Sequence, residues 1–460
     1  MGKFDEIVHV NLSSDKMKAY INIYALPNDE VPSVQDVKNY LEEKGIVHGV
    51  NEEVLEVVLK NRIFNQEVLI AEGTYPVDGI NGKLEFHFDV EKDSKPTILE
   101  DGRVDYRNLN LIENVKKGQL LCTVIPPQPG KTGKTVTGEI VPYREGVPAK
   151  IPVGKNVVHD KEKDALYAAI DGQVKYVGGK INVFPVFEVA GDVDNSTGNI
   201  NFIGNVIIRG SVLSGFQVEA GGEVEIWGVV EGATIKAGGN IIIRRGVRGN
   251  NKAVIISEGD IVAKYIEYSN VEAKNDIKAE VIMHSNIKCG GKLELSGKKG
   301  LLVGGDIKVG KEVIAKVIGS PLATSTEIEV GVSPDLREKF ITLKKEISYI
   351  ENDLRKAEQV ISILNKLSGS NMLTGDKAEL LEKTKNTREY YIQKLSELKE
   401  EYKVIEGLLY EKVDGKVKCY GVIYPATKIT IGEASLIVKE DMNFCIVYKD
   451  GMDIKTMPFR

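Results

Sequence analysis

Aliphatic residues recur every six positions without a miss, at Ile200, Val206, Val212, Val218, Val224 and Val230. A unit this short cannot bury its own apolar face, so successive units must stack. Three sixes make one turn, which sets Val206 beside Val224 and Val212 beside Val230. The chain is therefore expected to coil into a parallel β-helix, a solenoid in which each coil touches only its neighbours. Further along, a signature of small residue, Gly, polar residue and aliphatic residue marks the coils. It reads AGGEV to Val224, AGGNI to Ile241, EGDI to Ile261, KNDI to Ile277, CGGKL to Leu293 and VGGDI to Ile307. The spacings of 17, 20, 16, 16 and 14 residues predict later coils of uneven length. Gly at the corners admits positive φ, and Asn or Asp tolerates it. About eight coils at ~4.8 Å each would make a rod of roughly 40 Å. Right-handed crossovers are the general rule for parallel strands, so right-handed winding is expected.

A different period follows. Leu336, Phe340, Leu343, Ile347, Ile350, Leu354, Ala357, Ile361 and Leu364 alternate steps of four and three, a heptad seam. After SGSNMLTGD a second seam carries Leu381, Thr384, Tyr391, Leu395, Leu398, Tyr402, Ile405 and Leu409, interrupted once at Arg388. The two predict an antiparallel coiled-coil hairpin with helices roughly 45–50 Å long. Beyond it, Val417 to Ile431 should resume the solenoid or cap its end, since terminal repeats must close an exposed apolar stack. Before the solenoid, short β patterns (Ile7 to Leu12, Lys83 to Val90, Leu120 to Val124) surround two helical patterns. Ser33 and Asn51 are their expected N-caps. The fold class is thus mainly β with inserted α. The expected division is a mixed α+β domain at 1–185, the β-helix at 186–332, the hairpin at 333–411 and a β segment at 412–460 that resumes or caps the β-helix.

Composition narrows the setting. The chain has 61 Lys and Arg against 67 Asp and Glu, a formal net charge of −6, so no global attraction to nucleic acid or anionic membrane is implied. Cys122, Cys289, Cys419 and Cys445 form no CxxC pair, which argues against a disulfide framework or zinc site and for a reducing cytoplasm. MGKFDEIVHV lacks the apolar core of a signal peptide. No apolar run approaches the ~20 residues that span a bilayer. A cytoplasmic protein without membrane insertion is expected.

Three motifs that suggest chemistry fail on context. Gly130-Lys131-Thr132-Gly133-Lys134-Thr135 resembles a P-loop, but the first glycine would fall at Gln128, and IPPQP is no buried strand. His284 is the single histidine in the solenoid, where an acyltransferase would need one as a base. Asp192 and Asp194 could be a carboxylate pair, yet no second acidic cluster recurs one turn later. No catalytic, cofactor-binding or metal-binding residue is assigned on these grounds.

Stacking the coils gives one further constellation. If Val224 and Ile226 point inward, Trp227 points outward, with Arg209 one coil before it and Arg244 and Lys264 one and two coils after. The sole tryptophan would lie in a basic column, a cation–π arrangement. Such a column either packs under another part of the chain or docks an acidic protein partner. Together with Arg245, Arg248 and Lys252 it is also the expected route to nucleic acid, which the net acidity disfavours.

At this point three stretches carry a family resemblance: VDYRNLNLIENVKKGQLL with PGKTGKTVTGEIVP; GDVDNSTGNINFIGNVIIRGSV; and KKGLLVGGDIKV with IGS and the hairpin. The chain resembles the flagellar assembly protein A family over nearly its whole length. The resemblance implies a mixed N-terminal domain, a β-helix core, a bacterial cytoplasmic setting and a link to flagellar assembly or polar placement. It supplies no catalytic residues to carry over. The expected function is a non-enzymatic scaffold or adaptor that binds protein partners, with homo-oligomerisation through the hairpin or the β-helix. The alternatives are a β-helix enzyme acting on a sugar or acyl substrate, and nucleic-acid binding through the basic stripe.

Overall fold

The computed structural model of the protein describes residues 6–24, 31–90, 97–98, 104–105, 107–109, 111–369, 375–410 and 414–459. Within these the chain divides into two compact units, one drawn from 1–90, 117–169 and 175–182, the other from 91–116, 170–174 and 183–460.

In the first unit, β1 (Val8–Leu12), β2 (Lys18–Ile23) and β3 (Val68–Glu72) form an antiparallel sheet. Strict alternation along β2 buries Ala19, Ile21 and Ile23. Against them pack Val37 and Leu41 of α1 (Val34–Glu43) and Leu55 and Val58 of α2 (Glu52–Lys60). Ser33 and Asn51 cap these helices, Ser33 in a reciprocal capping box with Asp36. A second, four-stranded antiparallel sheet joins Lys83–Phe86, Leu120–Ile125, Ala165–Ala168 and Val157–Asp160.

The second unit is dominated by the solenoid, and its coils are three-sided. One side stacks Phe187, Val206, Val224, Ile241, Ile261, Ile277, Leu293, Val313 and Val417 in parallel register. A second runs from Ile200 through Val218, Ile235 and Ile255 to Ile429, and a third from Val212 through Val230, Val247 and Ile266 to Ile423. The six-residue ladder is therefore one aliphatic residue per side. From Val206 to Val417 these marks are buried and fill the interior. One mark needs correction: Ile307 stacks on Ile287 of the second side, and the coil after Leu293 reaches Val313 instead.

The signature has a physical cause. In the signatures of Asn240, Asp260 and Asp276, and likewise at Asn205, the residue before the aliphatic mark carries an oxygen that accepts a backbone N–H of the next coil. Asn205 accepts from Glu223 (2.9 Å), Asn240 from Asp260 (2.9 Å), Asp260 from Asp276 (3.0 Å) and Asp276 from Lys292 (2.7 Å). That side chain lies against the glycine of the following signature: a Cβ on Gly259 would sit 2.4 Å from Asn240 Oδ1. The ladder and the glycines are one device.

Between Gly331 and Gly415 the solenoid is interrupted by α3 (Pro334–Gly369) and α4 (Gly375–Tyr410). At 36 residues each is ~54 Å long. Leu343, Ala357, Leu364, Leu398, Ile405 and Leu409 are buried in the seam, and Phe340 stacks on Tyr402 at 4.7 Å. Arg388, where the seam breaks, reaches Glu358 at 3.9 Å. Of the expected connecting loop, residues 370–374 lie outside the described residues. Lys416–Ile423 and Thr427–Ile431 then resume the parallel coil. Ala434–Ile437 and Met442–Asp450 reverse onto them antiparallel, with Asp453–Pro458 beside the latter. The segment both resumes the solenoid and caps it.

Candidate functional site

Alternation on the first side of the solenoid turns two residues of each coil outward. The coil ending in Ile226 presents Glu225 and Trp227, the next Ile242 and Arg244, the next Val262 and Lys264. Trp227 is 42% exposed and lies between two guanidiniums, Arg209 at 4.1 Å and Arg244 at 5.3 Å from its ring centroid. Three of the four residues of the expected column are thus brought together as a sandwich. Lys264 continues the column on the next coil and is exposed, opposite a bulge formed at Arg244 and Arg245.

Two features were not read from the sequence. Each arginine is already neutralised: Arg209 Nε donates to Glu188 at 2.7 Å, and Arg244 Nε to Glu225 at 2.8 Å. The stripe is accordingly less basic than its arginines suggest, and Lys264 is the cation of the column without such a pairing among the described residues. Beside it, Ile242 and Val262 stand 36% and 40% exposed on adjacent coils. Trp227 stands diagonally from Ile242 in the neighbouring outward column, and the three apolar side chains span three coils, edged by charge. The signal was available, because the residue two before Arg244 must share its face.

The other candidate positions hold structural posts. His284 turns a corner in the left-handed region (φ 47°) and stacks on Tyr268, itself at φ 48°, with ring centroids 5.0 Å apart. Gly215 and Gly232 take the same conformation at earlier corners, so these side chains occupy a position that glycine fills elsewhere. Asp192 Oδ1 accepts from Ser211 N (2.6 Å), and Asp194 accepts from the Ser196 hydroxyl (2.6 Å) and amide (2.8 Å). The Ser196 hydroxyl, with its amide, lowers the Asp194 pKa. In the P-loop-like run, Gly130 and Gly133 admit close backbone approach: a Cβ would fall 2.2 Å from Val77 O and 2.4 Å from Thr74 O. Arg248 stands in register between Glu231 and Glu267, so the expected nucleic-acid stripe is interleaved with acids.

Burial pushes the Cys289 thiol up to about 12 and the Cys419 thiol to about 11, and all four cysteines are free and buried. Among the described residues, no group of three or more His, Cys, Asp or Glu is placed to hold a metal ion. No helix among them is long and apolar enough to cross a membrane.

Comparison with known proteins matches this architecture in two parts. Residues 185–454 match the Flagellar Assembly Protein A beta solenoid domain, and residues 8–179 match the Flagellar Assembly Protein A N-terminal region. No curated protein and no solved structure matches the chain. With the two family models covering the coils, the hairpin, the cap and the N-terminal unit, the chain belongs to the flagellar assembly protein A family.

Proposed function

We propose that the chain is a non-catalytic scaffold in flagellar assembly that binds proteins through two surfaces, the Trp227 face and the helical hairpin. The observation that carries this reading is the strip of Trp227, Ile242 and Val262. Apolar side chains held outward on a rigid sheet and edged by ion pairs suit a protein interface, where an aromatic anchor is surrounded by a polar rim. The hairpin adds exposed Tyr349, Ile363, Tyr390 and Val404 on a surface otherwise rich in Lys and Glu. Family membership supplies the process in which such docking would act. The same reading places the protein in the cytoplasm, where its free thiols would stay reduced.

The test is chromosomal replacement with Trp227→Ala/Ile242→Asp/Val262→Asp, and separately with a chain lacking 335–411, in a flagellated bacterium that carries this gene. Loss or misplacement of flagella with unchanged protein level and far-UV circular dichroism is expected from at least one. Normal flagellation with both would remove the reading. Photo-crosslinking from position 242 identifies what docks, and sedimentation velocity of both variants shows whether either surface also joins copies of the chain.

A further inference from the structure

The hairpin root and the last coil flank a half-open cavity of about 530 Å³, within the ~300–1,000 Å³ range of small-molecule sites. One wall is apolar and belongs to the hairpin: Phe340, Ile341 and Leu409. The other belongs to the last coil and its cap, and presents Lys428, Thr430 and Lys449.

Lysines of the solenoid differ in whether a carboxylate neutralises them, and among the described residues Lys264 on the outer stripe has none. Lys274, Lys288, Lys292, Lys308 and Lys418 each hold a carboxylate within 4 Å, as Lys292 does Glu312 at 2.6 Å. Among the described residues neither Lys428 nor Lys449 has such a partner. Arg337, which also lines the cavity, is held by Glu329, and among the described residues the lining carboxylate is Glu433. The polar wall therefore keeps an excess of positive charge facing an apolar wall.

We propose that this cavity binds an amphipathic organic anion. A carboxylate or phosphate head would lie at Lys428 and Lys449, with the Thr430 hydroxyl as a further donor. An unbranched apolar body would lie along Phe340, Ile341 and Leu409. At roughly 30 Å³ per non-hydrogen atom the space admits about eighteen such atoms, enough for a ten-carbon chain with its head. Ammonium groups bind both kinds of head by charge-assisted hydrogen bonds. Because its walls come from the hairpin and from the coil, the occupied cavity would fasten α3 to the last coil.

Isothermal titration of the full chain with sodium decanoate, decyl phosphate and the uncharged decyl maltoside tests the proposal. At least one anion should bind saturably at one per chain, more weakly as salt is raised, and the maltoside should not. Which anion binds distinguishes the two heads. Lys428→Gln/Lys449→Gln should weaken anion binding at least tenfold, and Ile341→Asn several-fold. Lys236→Gln, on a remote coil, should leave it unchanged. These side chains are exposed or half-buried, and circular dichroism checks that the variants stay folded. Failure of both anions to saturate, equal binding of the maltoside, or wild-type affinity in the double lysine variant would each overturn the proposal.

Discussion

The side-chain ladder offers the sharpest test of how the solenoid is held, and Asp260 is its central rung. Its Oδ1 accepts the Asp276 amide at 3.0 Å, and its own amide donates to Asn240 Oδ1 at 2.9 Å. Asp260→Ala removes the acceptor but not the donor, so the partly buried Asp276 N–H loses its partner. A hydrogen bond to a charged acceptor contributes about 1.5–3 kcal/mol, and access of water at this half-buried site lowers that to about 1.5 kcal/mol. Asp260→Asn keeps an amide oxygen in the same place and should cost under ~0.5 kcal/mol. The solenoid opens coil by coil, so a global melting curve would blur the effect. Amide hydrogen exchange at Asp276 reads it directly, because 1.4 kcal/mol of local opening is about tenfold in exchange rate. The Ala variant should exchange roughly tenfold faster there, with coils far from Asp260 unchanged. Equal protection in the Ala variant, or equal loss in the Ala and Asn variants, would refute the ladder as the coupling between coils.

Ile235 is fully buried in the second side, and Ile235→Ala should destabilise its own and the adjoining coils by about 2–5 kcal/mol, read by exchange and urea unfolding. Arg209→Ala and Arg244→Ala each uncover one face of the sole tryptophan. Each should cost no more than ~1 kcal/mol and raise acrylamide quenching of Trp227, whereas unchanged quenching would mean the sandwich does not persist in solution. Cys289 should react with thiol reagents at pH 8 only as fast as its coil opens. Its folded-state pKa, about 12, lies above the ordinary 9.0. The unfolded chain therefore loses that proton first, and stability present below pH 9 should fall between pH 9 and 12, by up to about 1.4 kcal/mol per unit. Cys289→Ser should flatten that part of the pH–stability curve.

The solenoid was legible because its core demands one aliphatic residue per side per coil, which leaves a period that no other element imposes. The heptad seams and the Ser33 and Asn51 caps were legible for the same reason, a local rule with a fixed spacing. Trp227 between Arg209 and Arg244 followed from counting coils, since parallel register carries a sequence spacing directly into contact. Glu188 and Glu225, which neutralise those arginines, escaped because an outward column alternates sign with no fixed period. Ile242 and Val262 escaped because an aliphatic residue next to a core mark looks like more core. The Ile307 mark was assigned to the wrong side because the signature occurs at two corners, and spacing alone does not say which. The cavity at the hairpin root joins Phe340 to Lys449 across two elements with unrelated periods, so no sequence pattern announces it.

The way the hairpin leaves and re-enters the coil makes it separable from the rest of the solenoid. A Cβ on Gly415 would lie 2.7 Å from the Gly331 backbone, so the two feet of the insertion touch. On either side the coil keeps register as if uninterrupted, with Glu312 beside Lys416 and Val330 beside Ile431. Antiparallel helices return the chain to its starting point, so the insertion costs the coil little beyond closing a loop, and that cost grows slowly with length. Among the described residues, Lys288 to Glu338 at 2.6 Å and Arg337 to the largely buried Glu329 are polar links from root to coil, and an exposed pair such as the first is worth ~1 kcal/mol or less. Removing 335–411 therefore deletes a surface without removing a rung of the ladder. Trp227→Ala, by contrast, changes a surface whose shape the rungs themselves hold. A partner lost in the first case and kept in the second engages the hairpin, and the reverse result assigns it to the coil face.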